Sequence, residues 1–421
     1  MQLNIDFSNY TLTAETFTDL GNAIRELEVG ILRFLEPIRK VVIKSMNGYL
    51  DADDVHGYLF SSQLTDLETV DIMDTSKNLC SDDGLVYSKD FKDFIFCPLG
   101  KKGTIKIHEG TERVCEYACY ACTFTHLIIP DSVKVIEQYA FHKNKWLECV
   151  EGGYGLKSIG DMSFMDCIHL KDVHLGSNLK RIGESAFMNT QLTKIDLPEE
   201  LEYVGSHAFH TTNIQKDEET SHITPDKMYD IHIPSSLKEI GRCAFCNAAN
   251  IYTKQVSFEI VEAGIRSAGQ SFGYGCDFWK LHIKGLQPIV MPKEVNSITM
   301  VARKVRLYAI GKSISPPEMY TESRRIVQFV IALEHRKLYP GKQVDKFLNE
   351  NIKRIFVSTL LEEDGEKLMV AYIKSDVFTK EALASLLDYI ESSEDSAKYV
   401  SLRAYLLQAM AIKPSPDIFE I

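Results

Sequence analysis

The sequence predicts a solenoid, which is a stack of similar coils, followed by a small helical domain. The heptapeptide "VIEQYAF" at residues 135–141 returns as "SIGDMSF", "RIGESAF", "YVGSHAF" and "EIGRCAF". The small residues of these copies and of one upstream copy are spaced by 22, 23, 23, 22 and 36 residues, at Ala118, Ala140, Ser163, Ala186, Ala208 and Ala244. A period in this range is typical of solenoids. From about residue 317 the composition changes to amphipathic helices.

Each coil is predicted to begin with a short strand. Ten residues before each small residue lies a turn position, occupied by His108, Pro130, Gly153, Gly176, Pro198 and Pro234. Just upstream, two apolar residues flank a variable one, as Ile105 and Ile107 flank Lys106. Alternation with period two, closed by Pro or Gly, is typical of a strand with one buried face.

Further apolar positions recur in every coil and predict a shared core. The aromatic residues that follow the small residues are Phe141, Phe164, Phe187, Phe209 and Phe245. A single coil has no opposite face to pack on, so it buries these residues against the coils before and after it. We expect the aromatic ring to fill volume while the small residue lets the backbone of the next coil approach.

The repeat unit "LTKIDLPEELEYVGSHAF" resembles the BspA-like class of leucine-rich repeat. The stretch "DGLVYSKDFKDFIFCPLGKKGTIKIHEG" is similar to the hairpin insert that often precedes such repeats. The resemblance covers roughly residues 80 to 250. It implies an α/β solenoid, a right-handed coil with a parallel sheet on its concave face. Proteins of this class are usually regarded as binding modules, many of them on bacterial surfaces or in protists.

The N-terminal part is predicted to cap the solenoid. Residues 13–35 carry one apolar stripe at helical spacing, with Thr13 as N-cap and Pro37 after its end. We therefore assign residues 1–36 to a capping helix and residues 37–288 to the solenoid. Two degenerate coils open it, and their strand positions are Val41, Ile43, Val70 and Ile72. A hairpin insert at about 83–100 then interrupts the array, and a polar loop insert lies at about 211–227.

The pattern weakens after Ala244. We interpret "VSFEIVEA" and "DFWKLHIKGL" as the last, irregular strands of the solenoid. Residues 289–316 are interpreted as a linker or end cap. Within them, "ARKVRLYAIGK" is interpreted as a solvated strand edge. Residues 317–421 are predicted to form a helical C-terminal domain. Its clearest helix has Thr379 as N-cap and an apolar stripe of Leu383, Leu386, Leu387 and Ile390.

Composition excludes several function classes. The formal net charge of −12 argues against general binding to nucleic acid, because phosphate contacts need clustered Lys and Arg. No stretch approaches the ~18 consecutive apolar residues of a transmembrane helix, so we expect no membrane insertion. The N-terminus lacks the features of a secretory signal. We therefore expect a cytoplasmic protein, or a surface or secreted one if a signal was removed.

Ten cysteines are interpreted as buried free thiols, which suit a reducing compartment. Two Cys-x-x-Cys pairs, Cys119 with Cys122 and Cys243 with Cys246, raise the alternative of a zinc site. With ~4.8 Å between neighbouring strands, the two pairs lie on the order of 20 Å apart, too far to share one ion. We expect no metal and no cofactor.

The candidate binding site is the exposed side of the predicted strands. On three adjacent coils, acidic and imidazole side chains form a patch suited to a cation or a basic peptide segment, although such residues are often only solvated. The candidate binding residues are Lys106, Glu151, Asp172, His174, Lys194, Asp196, Asp230 and His232.

The predicted function is a non-enzymatic module that binds a protein partner, of unknown identity, through the concave face. "GESAF" lacks the spacing of a nucleophile elbow, and "GKS" at 311–313 lacks the upstream Gly of a phosphate-binding loop. No catalytic residue is therefore nominated. Two alternatives stay open: a targeting scaffold whose helical C-terminal domain carries an effector activity, and a cell-surface adhesin. The sequence does not indicate the oligomeric state.

Overall fold

A computed structural model describes most of the chain, and its contacts divide it into two compact units, Met1–Gln287 and Pro288–Ile421. Each unit is described by itself below. The described residues are 3–6, 11–14, 19–20, 22, 38–44, 52–59, 64–73, 78–210, 229–264, 278–292, 298–310, 319, 328–360, 365–374, 377–393 and 396–412.

The first unit opens with a four-stranded sheet of β1 (Leu3–Asp6), β2 (Thr11–Ala14), β3 (Lys40–Ile43) and β4 (Thr69–Ile72), with helix α1 (Ala52–Leu59) between β3 and β4. β1 and β2 are antiparallel, whereas β2, β3 and β4 are parallel and align Leu12, Val41 and Val70. These three side chains are fully buried, because successive coils stack them in one column. The strands predicted around Val41 and Val70 are therefore confirmed.

The predicted start of the capping helix is wrong. Thr13, taken as its N-cap, lies in β2, where it aligns with Val42 of β3. Parallel stacking thus begins at β2, before residue 37. Asp19, Leu20 and Asn22 are helical, and the rest of the predicted helix lies outside the described residues, as does the loop insert at 211–227.

The predicted hairpin insert is present, but it does not interrupt the stack. It consists of β5 (Leu79–Asp82), β6 (Leu85–Ser88) and β7 (Asp93–Phe96), paired antiparallel in sequence order. β7 then aligns in parallel with the first regular coil, where the Asp93 carboxylate accepts two hydrogen bonds from the Arg113 guanidinium, at 2.9 and 3.0 Å. The insert is therefore the edge of a sheet that continues through the coils.

The strands of the following coils lie in three sheets. These strands are β8 (Thr104–Lys106), β9 (Arg113–Val114), β10 (His126–Ile129), β11 (Val135–Ile136), β12 (Cys149–Gly152), β13 (Ser158–Ile159), β14 (Asp172–Val173), β15 (Arg181–Ile182), β16 (Tyr203–Val204), β17 (Tyr229–His232), β18 (Glu239–Ile240), β19 (Ala248–Thr253) and β20 (Phe278–Ile283). β8, β10, β12 and β14 form the predicted sheet. The two-residue strands join the β5–β7 hairpin in a second sheet, ordered β18-β16-β15-β13-β11-β9-β7-β6-β5. β17, β19 and β20 pair in parallel.

The predicted aromatic column forms the core between coils. The rings stack in near-parallel pairs with centroids 4.9 Å apart for Phe141 and Phe164, 5.3 Å for Phe164 and Phe187, 5.4 Å for Phe187 and Phe209, and 5.9 Å for Phe209 and Phe245. The backbone of the small residues contacts the neighbouring coil as expected, since the Cys119 nitrogen donates to the Ala140 carbonyl at 2.7 Å and the Phe187 nitrogen to the Ala208 carbonyl at 2.8 Å. A glycine also lies at a close approach between coils. A Cβ on Gly205, in the "VG" step before the small residue, would lie 2.4 Å from the Glu184 nitrogen.

The end of the first unit differs from the prediction in one element. "DFWKLHIKGL" contains β20 as expected. "VSFEIVEA" instead contains helix α2 (Phe258–Ala263), because the Ser257 hydroxyl accepts a hydrogen bond from the Ile260 nitrogen and starts a helix there.

The second unit is mainly helical. It contains β21 (Ile289–Pro292), α3 (Ile298–Ala309), α4 (Gln328–Leu338), α5 (Lys342–Glu350), α6 (Ile352–Leu360), α7 (Gly365–Lys374), α8 (Lys380–Glu391), a 3-10 turn (Ser396–Tyr399) and α9 (Val400–Ile412). The "ARKVRLYAIGK" segment predicted as a strand edge is wrong: its described part lies mostly in α3, which buries Val301, Val305 and Tyr308. The N-cap at Thr379 is confirmed, since its hydroxyl accepts from the Ala382 nitrogen at 3.2 Å. The domain limits as a whole stay predictions.

Candidate functional site

The eight predicted binding residues are all exposed. Lys106, Glu151 and Asp172 lie on β8, β12 and β14, and their strand neighbours Ile105 and Val150 are buried. We call the exposed positions of the first strand of each coil, together with those of β17, β19 and β20, the strand face. The local cause of this display is the period-two alternation that the sequence shows.

The structure brings the predicted residues together only in part. Asp172 aligns with Cys149, and Lys106 aligns with Ile128 and Glu151, all in the β8–β14 sheet. Asp230 and His232 belong to the separate β17–β19–β20 sheet. Between them, Lys194 and Asp196 lie in a segment without strand pairing, where the Lys194 ammonium and the Asp196 carboxylate form an ion pair at 2.7 Å. His174 follows the last residue of β14.

A row of three stacked rings crosses the second of these sheets. The ring of Tyr252 lies between the imidazoles of His232 and His282, with centroid distances of 4.4 and 4.3 Å and interplanar angles of 8° and 18°. The parallel register places these residues directly beside one another on β17, β19 and β20. We call His232, Tyr252 and His282 the ring ladder.

A polar column runs beside the ring ladder. Asp230, Asn250 and Lys280 align on the same three strands. The Asn250 amide donates to the Asp230 carboxylate at 2.7 Å, and its carbonyl oxygen lies 3.0 Å from His282 Nε2. Since an amide oxygen only accepts, His282 Nε2 carries the proton. Asn250 thus fixes the positions of both the carboxylate and the third ring.

Burial and charge set the protonation of Tyr252 and His282. Burial lowers the pKa of His282, and the nearby Asp230 carboxylate offsets this only in part. Burial, followed by the charge of Asp230, raises the pKa of Tyr252. At neutral pH His282 and Tyr252 are therefore uncharged, and Asp230 supplies negative charge at their side. This arrangement offers the edges of half-buried rings, hydrogen-bond donors and acceptors, and one carboxylate for noncovalent recognition.

Sequence reasoning missed Asn250, Tyr252, Lys280 and His282. The alignment on the small residue stops at Ala244, so these residues had no column to join. A signal was present: Ile251 and Thr253 flank Tyr252, and Leu281 and Ile283 flank His282, in the same alternation that places His232 beside Ile231. All four flanking residues are buried in the structure.

The nine described cysteines are free thiols, and only Cys80 and Cys149 are not buried. Burial raises the pKa of the thiols of Cys119 and Cys122 well above the usual value. Within the described part of the chain, no group of three or more His, Cys, Asp or Glu residues is arranged to hold a metal ion. Among the described helices, none is both long and apolar enough to cross a membrane.

A sequence profile of the BspA type leucine rich repeat region matches six copies in this chain, over residues 112–225 and 223–285. No curated protein sequence matches the chain significantly.

Solved structures of leucine-rich-repeat proteins are similar in part. The pneumococcal vaccine antigen PcpA is 16% identical over 59% of this chain and 56% of its own, with a TM-score of 0.43. A leucine-rich-repeat protein of T. pallidum is 23% identical over 40% of this chain and 80% of its own, with a TM-score of 0.28. A leucine-rich cell surface protein of Faecalibacterium prausnitzii is 16% identical over 52% of this chain and 62% of its own, with a TM-score of 0.30.

The match with PcpA thus spans little more than half of that chain. The repeat match agrees with the stacked coils, the parallel sheets and the aromatic column described above, and the α/β solenoid class is confirmed. The chain is a repeat protein that carries a BspA-type leucine-rich-repeat region over residues 112–285 and a helical C-terminal region after it.

Proposed function

We propose that this chain is a non-enzymatic interaction module that binds a protein partner through the strand face, the surface that the family resemblance places on the concave side. Leucine-rich-repeat proteins generally mediate protein–protein interaction or adhesion, and they are typically non-enzymatic. The partner and the face are the parts of this proposal that need their own support.

The observation that carries the proposal is the ring ladder with its polar column. Aromatic side chains are enriched at protein interfaces because they supply large contact area with few rotatable bonds. Here the rings are held in register by three paired strands, and Asn250 bonds both Asp230 and His282. A surface ordered before binding loses less conformational entropy on binding.

The earlier predicted residues extend this surface toward the N-terminal coils. Four carboxylates, those of Glu151, Asp172, Asp196 and Asp230, contribute negative charge. Three lysines oppose it, Lys106 and Lys194 of the predicted set and Lys280 of the polar column. A partner with exposed Arg or Lys beside an apolar patch fits this charge, since complementary charge steers association and selects the partner.

Affinity capture from lysate of the source organism tests the proposal. The baits are the wild type, a triple variant with His232→Ala, Tyr252→Ala and His282→Ala, and a matched control with Lys157→Ala and Glu184→Ala, which are exposed outside the strand face. We expect a partner that the wild type and the control retain and that the triple variant loses, with circular dichroism spectra that stay equal. Retention by all three baits would reject the strand face as the binding surface.

The compartment is a second open point. BspA-type proteins are often surface or secreted proteins. Free thiols at all nine described cysteines, seven of them buried, favour a reducing compartment for this chain, because oxidising compartments favour disulfides. Alkylation of intact cells with a membrane-impermeant thiol reagent, followed by denaturation and a second label, tests this: oxidised cysteines would contradict it.

A further inference from the structure

A second, aromatic site lies outside the strand face. Between helix α1 and the turns of the two coils that contain Ala118 and Ala140 is a cleft of about 550 Å³. This volume falls in the range of small-molecule sites, which are concave and rich in aromatic side chains. The cleft is lined by His56, Gly57, Tyr117, Tyr120, Tyr139 and His142.

The tyrosines are held rigidly by the repeat. Tyr117 and Tyr139 occupy the same position in adjacent coils, both with left-handed backbone at φ of 56° and 55°. Their rings are parallel within 2°, with centroids 5.0 Å apart. The coils are joined beside them, because the Cys119 nitrogen donates to the Ala140 carbonyl at 2.7 Å and the Ala121 nitrogen to the His142 carbonyl at 2.9 Å. The two rings therefore form a fixed stack, in which each ring covers one face of the other.

The cleft also contains a hydrogen-bond acceptor. His142 Nδ1 lies 3.0 Å from the Met165 carbonyl oxygen, which can only accept, so Nδ1 carries the proton. Burial lowers the pKa of His142, with the charge of Asp166 opposing this only in part, so the ring is neutral at pH 7. Its Nε2 is then an acceptor, in a ring that contacts Tyr120 and Tyr139 at centroid distances of 5.3 and 5.6 Å.

The surrounding charges disfavour a charged ligand. The Lys143 ammonium lies 5.5 Å from the centroid of Tyr120 and donates to its hydroxyl at 3.0 Å, so a cationic ligand would meet a like charge. The net charge of −12 repels anions from the chain as a whole. An uncharged ligand with one apolar face and hydrogen-bonding edges fits best.

We propose that this cleft binds a neutral saccharide. One face of a pyranose ring presents C–H groups, which pack on aromatic rings, while its equatorial hydroxyls both donate and accept hydrogen bonds. Aromatic grooves also bind proline-rich peptides. Consecutive prolyl residues have no N–H, however, so a polyproline segment gives His142 Nε2 no backbone donor. The saccharide uses both the uncovered ring surface of the Tyr117–Tyr139 stack and the imidazole acceptor.

Gly57 lines the cleft and provides a variant designed to fill it without changing any of the lining rings. A Cβ at this position meets no atom within 4 Å, so the side chain of Gly57→Trp has room to enter. Gly57→Ala is the matched control, since it makes the same change in helix backbone freedom without filling the cleft. Tyr117→Ala removes one ring of the stack, and Tyr117→Phe keeps the ring but removes the hydroxyl.

The experiment applies the full chain to a printed array of neutral oligosaccharides, uronic-acid oligosaccharides and proline-rich decapeptides, followed by calorimetric titration of the strongest neutral binder. We expect the wild type and Gly57→Ala to bind a neutral oligosaccharide. Gly57→Trp and Tyr117→Ala should lose at least tenfold in affinity, with Gly57→Trp keeping the melting temperature of Gly57→Ala.

Three results would overturn the proposal. The first is no binding to any neutral oligosaccharide, and the second is wild-type affinity in Gly57→Trp. The third is binding confined to uronic acids or to proline-rich peptides, which would give the cleft a different ligand class. None of these results bears on the strand face, because no variant here changes it.

Discussion

The repeat coils of residues 104–245 and the helical unit of residues 288–421 bury apolar side chains in different ways. In the coils, one phenylalanine per coil stacks on its equivalent in the next coil, from Phe141 to Phe245. In the helical unit, α8 buries Leu383, Leu386 and Ile390 along one face. A repeated column thus reveals both the buried residue and its partner, whereas a helical stripe reveals the buried face alone.

The largest effect is expected from a substitution that interrupts the aromatic column at its centre. Phe187→Ala should lower the free energy of unfolding by about 3–5 kcal/mol, because it removes a fully buried ring that stacks on Phe164 and Phe209. Denaturant unfolding followed by tyrosine fluorescence measures this, with the exposed Glu184→Ala as control. Equal midpoints for the two variants would disprove the assigned register.

The next effect tests a close approach between the backbones of neighbouring coils. Gly205→Ala should cost about 1–3 kcal/mol, because the new Cβ would lie 2.4 Å from the Glu184 nitrogen and 2.6 Å from the Gly183 carbonyl carbon, which are both backbone atoms. Gly57→Ala is the control in open space and should be neutral or slightly stabilising. Thermal melts that rank the two variants the other way would contradict the close approach.

Alkaline pH should act on the coils through their thiols. Burial raises the pKa of Cys115 to about 12 and that of Cys167 further above its usual value, so these thiols stay protonated in the folded state. In the unfolded chain they ionise near pH 9, and folding stability is therefore present below that pH and lost as pH rises. Each such thiol contributes a slope approaching ~1.4 kcal/mol per pH unit.

Urea unfolding between pH 8 and 11 measures this slope. Cys167→Ala should flatten the slope. Cys149→Ala removes a partly exposed thiol and should alter the slope less. The helical unit contains no cysteine, so its unfolding should lack this component. A slope unchanged in Cys167→Ala would show that the thiol ionises in the folded state as well.

The smallest of these effects concerns the helical unit. Thr379→Ala should cost ~1 kcal/mol, because it removes the hydroxyl that accepts from the Ala382 nitrogen at the start of α8. Thr379→Ser keeps this bond and should stay within a few tenths of the wild type. Calorimetry of the full chain compares the two, and a Ser variant as unstable as the Ala variant would assign the loss to the missing methyl group.

The sequence predicted the features that neighbouring coils repeat and missed those that depend on distant partners. The strands around Val41, Val70 and Ile231 and the aromatic column follow from alternation and spacing. The two-residue strands of the second sheet were not predicted, because two residues are too few to show the alternation of apolar and polar residues that indicates a strand. Thr13 was misassigned because its pairing with β3 outweighs the helical stripe that begins there.

Two segments near the unit boundary show the same limit. The basic residues of "ARKVRLYAIGK" favoured the prediction of a solvated strand edge. The apolar residues Val301, Val305 and Tyr308, however, are spaced by four and three residues, which is typical of a helix. Of the ring ladder, only His232 could be predicted from the sequence, because it lies in the regular array. Tyr252 and His282 come after the position where the repeat pattern weakens. Ring stacking between strands far apart in sequence needs the register, which the structure provides.

The most direct test of the proposed binding role is site-specific photo-crosslinking in living cells of the source organism. A benzophenone amino acid replaces Tyr252 at the centre of the ring ladder or, in the control, the exposed Glu184. The proposal predicts a discrete adduct of one protein at position 252, competed by excess wild-type chain, and none at position 184. Adducts at 184 alone, equal adducts at both positions, or no adduct at 252 would contradict it.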